Sequence, residues 1–169
     1  MDFAKVFGSI SLTNPSWDLF VLVIFLSGVY LFMFRYGKNR AFLVLLSSYV
    51  SLALVEKLSL IKQVTGLVLP ETFINKTVLF LVGIFVSFLI FYRSDFVSIF
   101  NRGLKGARFQ VLVVSFLTIG MIISLVASFL SPAEAENLSI FLKTFFVDDR
   151  AQLFWLISPF FAVALIKEK

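Results

Sequence analysis

Trp17–Val55 reads WDLFVLVIFLSGVYLFMFRYGKNRAFLVLLSSYVSLALV, two apolar runs joined by the basic stretch Arg35-Tyr36-Gly37-Lys38-Asn39-Arg40. Between Asp18 and Arg35 no side chain ionises, and twelve of the sixteen residues are Leu, Ile, Val or Phe. At about −0.3 to −0.6 kcal/mol each for membrane insertion, those twelve contribute roughly −4 to −7 kcal/mol, with no buried charge opposing them. The stretch predicts a membrane hairpin with its turn at 35–40.

The rest of the chain agrees in composition. Of 169 residues, 60% are hydrophobic and 15% charged, and mean hydropathy is +1.00. Soluble domains are about 25% charged and clearly less apolar, and a globule of this length still exposes much of its surface. The 23 phenylalanines exceed what a water-soluble core of this size holds. Neither cysteine nor histidine occurs. That excludes disulfide frameworks, thiolate nucleophiles, zinc sites built on Cys or His, and histidine proton shuttles. The net charge of +5 comes from bases clustered in short loops beside apolar runs, which assigns them to a membrane surface rather than to nucleic acid.

Working outward, residues 1–13 carry Phe3, Val6, Phe7 and Ile10 at helical spacing, an amphipathic helix suited to the interface and without signal-peptide layout. Asn14 is placed to cap the first span (17–34), with Pro15 at its first position and Asp18 in its first turn. The second span covers 41–55. Residues 58–76 are semi-polar, with a turn at Pro70-Glu71. A third span covers 77–92, after which Ser94 is placed to cap a short helix bearing Phe96, Val97, Ile99 and Phe100. The fourth, 109–131, is ended by Pro132 and an acidic loop. Leu138, Phe141, Leu142, Phe145 and Phe146 then form a helical stripe over 138–147, resting on the membrane or against the bundle. Asp148-Asp149 stops it, and 151–166, with Pro159 near its middle, is either a kinked fifth span or a buried interfacial helix, the former preferred. The predicted class is an all-α membrane protein of four or five short spans with amphipathic interfacial helices, forming one domain.

Charge sets the orientation. The 35–40 turn holds three bases and no acid, and 93–108 holds four bases against Asp95, whereas 133–150 holds two bases against four acids. Positive-inside places the first two in the cytoplasm and the N-terminus outside.

None of the five apolar runs holds an ionisable group except Asp18 at a boundary, which disfavours a proton-coupled carrier. The polar residues inside the spans are small. Ser47 and Ser51, Gly83 and Ser87, and Gly120, Ser124 and Ser128 recur at i+4 steps, a pattern that brings helix backbones close; the alternative is a serine-lined conduit. Arg35, Lys38, Arg40, Arg102, Lys105 and Arg108 are candidates for contact with anionic lipid headgroups at roughly 1 kcal/mol each, or simply set topology. Gly103 and Gly106 lack the spacing of a phosphate loop. No paired carboxylates or serine–base set shares a helix face, so no catalytic residue, cofactor site or metal site is assigned.

Asp18 at the head of a first span, Arg35 seventeen residues on, then Gly37, Arg40 and an immediate second span together resemble the colicin V production protein family of bacterial inner-membrane proteins. The spacing matches over 17–42, with Tyr36 standing between Arg35 and Gly37; the basic connection between spans three and four and the amphipathic C-terminal segment match in plan. The resemblance implies a non-enzymatic inner-membrane protein linked to toxin production or export and to envelope homeostasis. Its partners would be the bilayer and either a second copy or another membrane protein. Two other functions fit the same sequence: a small oligomeric pore lined by the serine faces, and a membrane subunit of a larger transporter.

Overall fold

The computed structural model describes residues 20, 23–25, 27, 28, 37–58, 72–94 and 108–164. Among these all regular structure is helical and no strand occurs. The expected interfacial helix at 1–13, the short helix after Ser94 and the 58–76 connection beyond Leu58 and up to Glu71 lie outside the described residues. So does most of the first span, of which Phe20, Val23, Ile24, Phe25, Ser27 and Gly28 are helical.

Helix α1, Gly37–Glu56, starts inside the stretch expected to be the turn. Lys and Arg are good helix formers, so winding begins as soon as Gly37 is passed. Its 20 residues reach about 30 Å, against about 22 Å for the fifteen residues of the expected second span, 41–55. Helix α2, Phe73–Arg93, likewise starts four residues before the expected Thr77. Thr72 caps it, its side chain accepting from Asn75 N at 3.4 Å, and this local signal outranks the charge of Lys76. Ser94 closes α2: its N–H donates to the Ile90 carbonyl and its hydroxyl to that of Phe91.

Helix α3, Arg108–Ser128, ends three residues earlier than Pro132 would impose. Phe129 and Leu130 donate to Val126 and Ala127, tightening the last turn. The acidic loop is itself a helical turn, α4, Pro132–Glu136. Ser131-Pro132-Ala133-Glu134 is a capping box with proline at the first position, so Pro132 begins a helix there. The Ser131 N–H and hydroxyl both donate to Glu134 Oε2 at 2.8 Å, and these bonds hold the exposed Glu134 carboxyl below its ordinary pKa, the backbone donor contributing most.

The single helix expected over 138–147 divides. Ser139 caps α5, Ile140–Leu142, and the chain then widens into a π-turn, Lys143–Val147, closed by Asp148 N donating to the Lys143 carbonyl at 2.8 Å. Helix α6, Asp149–Ala164, follows, with Asp148 Oδ1 accepting from Arg150 N at 3.0 Å and Pro159 buried inside it.

Contacts fix the directions. Ser51 meets Phe80 near one end of the α1–α2 pair and Arg40 lies over the Tyr92 ring, 5.6 Å from its centroid, near the other, so the helices are antiparallel. Phe80 reaches Phe129 edge-on at 5.7 Å, setting the start of α2 beside the end of α3. Trp155 packs on Gly120 while Phe146 meets Ser124, so α6 runs antiparallel to α3. Arg40, Arg93 and the first residue of α3, Arg108, therefore gather at one end, and Glu134, Glu136, Asp148 and Asp149 at the other.

Candidate functional site: the helix junctions and the groove beside them

The small residues singled out by spacing sit in different places. Ser51 is fully buried and its hydroxyl crosses to α2, donating to the Phe80 carbonyl at 2.6 Å. Gly83, one turn further along α2, faces the same serine; a Cβ there would overlap Ser51 Oγ and approach its Cβ to 3.1 Å. Ser87 is buried on that inner face. Ser47 is buried too, but its hydroxyl returns to the Leu43 carbonyl of its own helix at 2.7 Å, a bond serine readily makes in a helix. Ser48 and Thr118, which the i+4 pattern passed over, do the same to Val44 and Val114. Ser128 is exposed and bonds only Leu125.

Gly120 and Ser124 belong to a second junction, whose other half has no small-residue signature. The Trp155 indole lies against Gly120 so closely that a Cβ would overlap three ring atoms. Phe146 stacks on the indole at 5.6 Å and 9°, and Phe25 stands edge-on to Phe116 at 4.9 Å and to both Phe146 and Trp155 at 6.4 Å. Every residue of the 138–147 stripe packs in or on this cluster, against the bundle.

Three consecutive carbonyls of the π-turn each receive a side-chain donor here. Trp155 Nε1 donates to Phe145 O at 2.7 Å, Ser124 Oγ to Phe146 O at 2.9 Å, and Gln152 Nε2 to Val147 O at 3.1 Å. In apolar surroundings an unmet carbonyl costs several kcal/mol, so these donors let the chain turn without water. The sequence marked Gly120, Ser124 and, within the 138–147 stripe, Phe146, but not Trp155 or Gln152. The one available signal was a tryptophan inside an apolar run, far from an interfacial position.

Between α1 and α6 runs an apolar groove of about 540 Å³, lined by Phe42, Leu45, Leu46, Tyr49, Leu156, Ile157, Phe160 and Val163. The Tyr49 hydroxyl closes its inner end by donating to the Leu156 carbonyl, next to that of Trp155, for which Pro159 supplies no helical donor. A shallow polar hollow of about 490 Å³ at the acidic end is bordered by Glu136, Lys143, Thr144, Asp148 and Asp149. The Lys143 ammonium there donates to the Glu136 carbonyl. Among the described residues no group of three His, Cys, Asp or Glu side chains is placed to hold a metal.

Of the bases singled out, Lys38 and Arg40 fall in the first turn of α1 and Arg108 opens α3, while Arg35, Arg102 and Lys105 lie outside the described residues.

Among the described residues these features define an all-helical bundle closed by small-residue contacts and an aromatic junction, with one helix, α2, long and apolar enough to cross a membrane. No known protein family, curated protein or solved structure matches the chain.

Proposed function

We propose that this chain is a multi-pass integral membrane protein that works as a helical scaffold and carries out no catalysis. The observation that supports this most is the outside of the bundle. Only 11% of the apolar window of α2 is buried. Phe85 is 62% exposed and Phe160 on α6 68%, and they stand in continuous faces with Val78, Leu81, Val82, Leu89, Phe154 and Phe161. Soluble monomers rarely show apolar patches beyond a few hundred Å². Hydrocarbon covers such faces without cost.

The spans in this reading are 17–34, α1, α2 and α3, with α6 as a short fifth, and the basic end faces the cytoplasm of a bacterial cell. Electrostatics within the helices supports that orientation. Lys38, Arg40 and Arg108 lie in first turns, where a cation opposes the helix dipole by about 0.3–1 kcal/mol each. Helix stability gives no reason for them, whereas positive-inside topology and headgroup contact do. The scaffold role rests on the inner hydroxyls: those of Ser47, Ser51 and Ser124 are all engaged with backbone carbonyls. The spacing from Asp18 to Arg40 supports a colicin V production-like task in toxin export or envelope homeostasis.

Cysteine labelling in whole cells tests the topology, since the native chain has no thiol. Cysteines at Asn39 and Gly106 should be shielded from an impermeant reagent and one at Asn137 should react; the reverse pattern overturns the orientation, and a chain monodisperse without amphiphile overturns the whole reading. For the scaffold role, deletion should lower secreted bacteriocin without changing its synthesis. Conductance in planar bilayers, abolished by Ser124→Leu, would replace the scaffold with a pore.

A further inference from the structure

We propose that the α1–α6 groove holds one acyl chain of an anionic phospholipid from the leaflet at the basic end of the bundle. The inference rests on the membrane reading above and adds to it a specific, retained lipid. The lining is apolar throughout, so water entering it would lack the two to four polar partners an ordered molecule needs. Its outer lip, Ile157 and Phe160, is 40% and 68% exposed and continues into the exposed face formed by Leu153, Phe154 and Phe161. The groove thus opens sideways onto the surface that lipid tails would already cover.

Length and charge select the tail and its headgroup. The inner end is closed by the Tyr49–Leu156 bond near the middle of α1. From Tyr49 to Phe42 the helix descends about 10 Å, and from Tyr49 to Lys38 about 16 Å, close to one leaflet of a hydrocarbon core about 30 Å thick. Lys38, Phe42, Leu45, Leu46 and Tyr49 follow i, i+4, i+7, i+8, i+11 spacing, which sets Lys38 on the groove stripe one turn below its last apolar residue. A headgroup at the open end of a groove-seated tail lies at the end of α1 that carries this lysine. Arg40 is on the opposite side of α1, over Tyr92, and serves as an internal comparison.

Native mass spectrometry of the full chain, delipidated in mild detergent and offered phosphatidylglycerol or phosphatidylcholine, tests this. One phosphatidylglycerol should be retained per chain. Lys38→Gln should reduce its retention about five-fold, the factor carried by one base near a headgroup, and Arg40→Gln should reduce it less. Leu46→Trp and Val163→Trp fill the groove from its two walls, and each should reduce retention of both lipids about ten-fold or more, a change of roughly 1.4 kcal/mol. Thermal unfolding of each variant in the same detergent shows that the bundle persists. Equal retention of the two lipids by the native chain, an Arg40→Gln effect as large as that of Lys38→Gln, or no effect of either tryptophan overturns the proposal. So does an Ile157→Cys disulfide dimer that excludes lipid, which would give the groove to a second copy. A chain embedded in membranes with an empty groove sinks this inference alone; a chain stable without amphiphile sinks the membrane reading with it.

Discussion

The α1–α2 contact and the α3–α6 junction solve one problem in two ways. In the membrane proposed above, both bring helices together where apolar packing against a neighbour gains little over packing against lipid. At α1–α2 a serine meets a glycine, two small residues face each other, and one hydroxyl crosses between backbones. At α3–α6 a glycine receives an indole, and the side-chain donors go to a widened turn outside both helices. The first contact depends on closeness. The second depends on shape and on meeting carbonyls of the π-turn, so its failure should be the costlier one.

The largest effect is expected at Trp155. Trp155→Ala removes the ring stacked on Phe146, opens a cavity beside Gly120 and leaves the Phe145 carbonyl without its donor. A large-to-small change of this kind costs about 3–5 kcal/mol, read as lost stability in detergent unfolding. Trp155→Phe keeps a ring but not the N–H, and should cost about 1–3 kcal/mol. A loss for Trp155→Phe as large as that for Trp155→Ala would assign the junction to the hydrogen bond; no loss would assign it to ring packing alone.

Gly120→Ala and Gly83→Ala compare the two junctions directly. The indole facing Gly120 is fixed by the Phe146 stack and by its bond to Phe145, so it has little room to withdraw. Overpacking there should cost about 2–3 kcal/mol. At Gly83 the obstacle is the Ser51 hydroxyl, with Ser51 Cα at 3.6 Å, and rotation of that hydroxyl relieves part of the overlap. About 1–2 kcal/mol is expected. Equal losses would mean that the aromatic junction yields as readily as the small-residue one.

This contrast also marks how far the sequence was legible. Period and spacing reveal what repeats along one helix: the apolar runs, the i+4 serines, and the aromatic stripe from Leu138 to Phe146. They do not reveal what faces a residue from another helix. Gly83 and Ser51 are each marked, on separate helices, because both are small, whereas Gly120 is marked and Trp155 is not, since an indole carries no sign of the glycine it will meet. Boundaries were missed where a local cap outranked charge or proline, as at Thr72 and at Ser131-Pro132. The π-turn was invisible because its stabilising donors, Ser124 and Trp155, come from elsewhere in the chain.

Ser124→Ala and Ser51→Ala refine the comparison at lower energy. Each removes one donor to a buried carbonyl, on Phe146 and Phe80 respectively. The cost of leaving such a group unmet is about 1–3 kcal/mol. Ser51→Ala also relaxes the crowding against Gly83, so its loss should be the smaller of the two, and combined with Gly83→Ala it should be less than additive. Strict additivity in that double-mutant cycle would show that the two residues do not share one contact.

The smallest effect lies outside both junctions, at the α4 turn that carries the chain from α3 towards the aromatic cluster. Ser131 donates twice to the Glu134 carboxylate, which lowers its pKa in the folded chain below the ordinary 4.5. A depressed carboxyl stabilises the fold above its unfolded pKa and loses that contribution as pH falls through the folded value. The capping box should therefore be intact at neutral pH and open only below 4.5, with a modest effect because the group is fully solvated. The Ser131 amide resonance in micelles should titrate with a midpoint under 4.5, and Glu134→Ala should abolish that titration. Since α4 packs no helix against another, its opening should leave the detergent unfolding temperature nearly unchanged; a large shift would tie this turn to the aromatic junction it precedes.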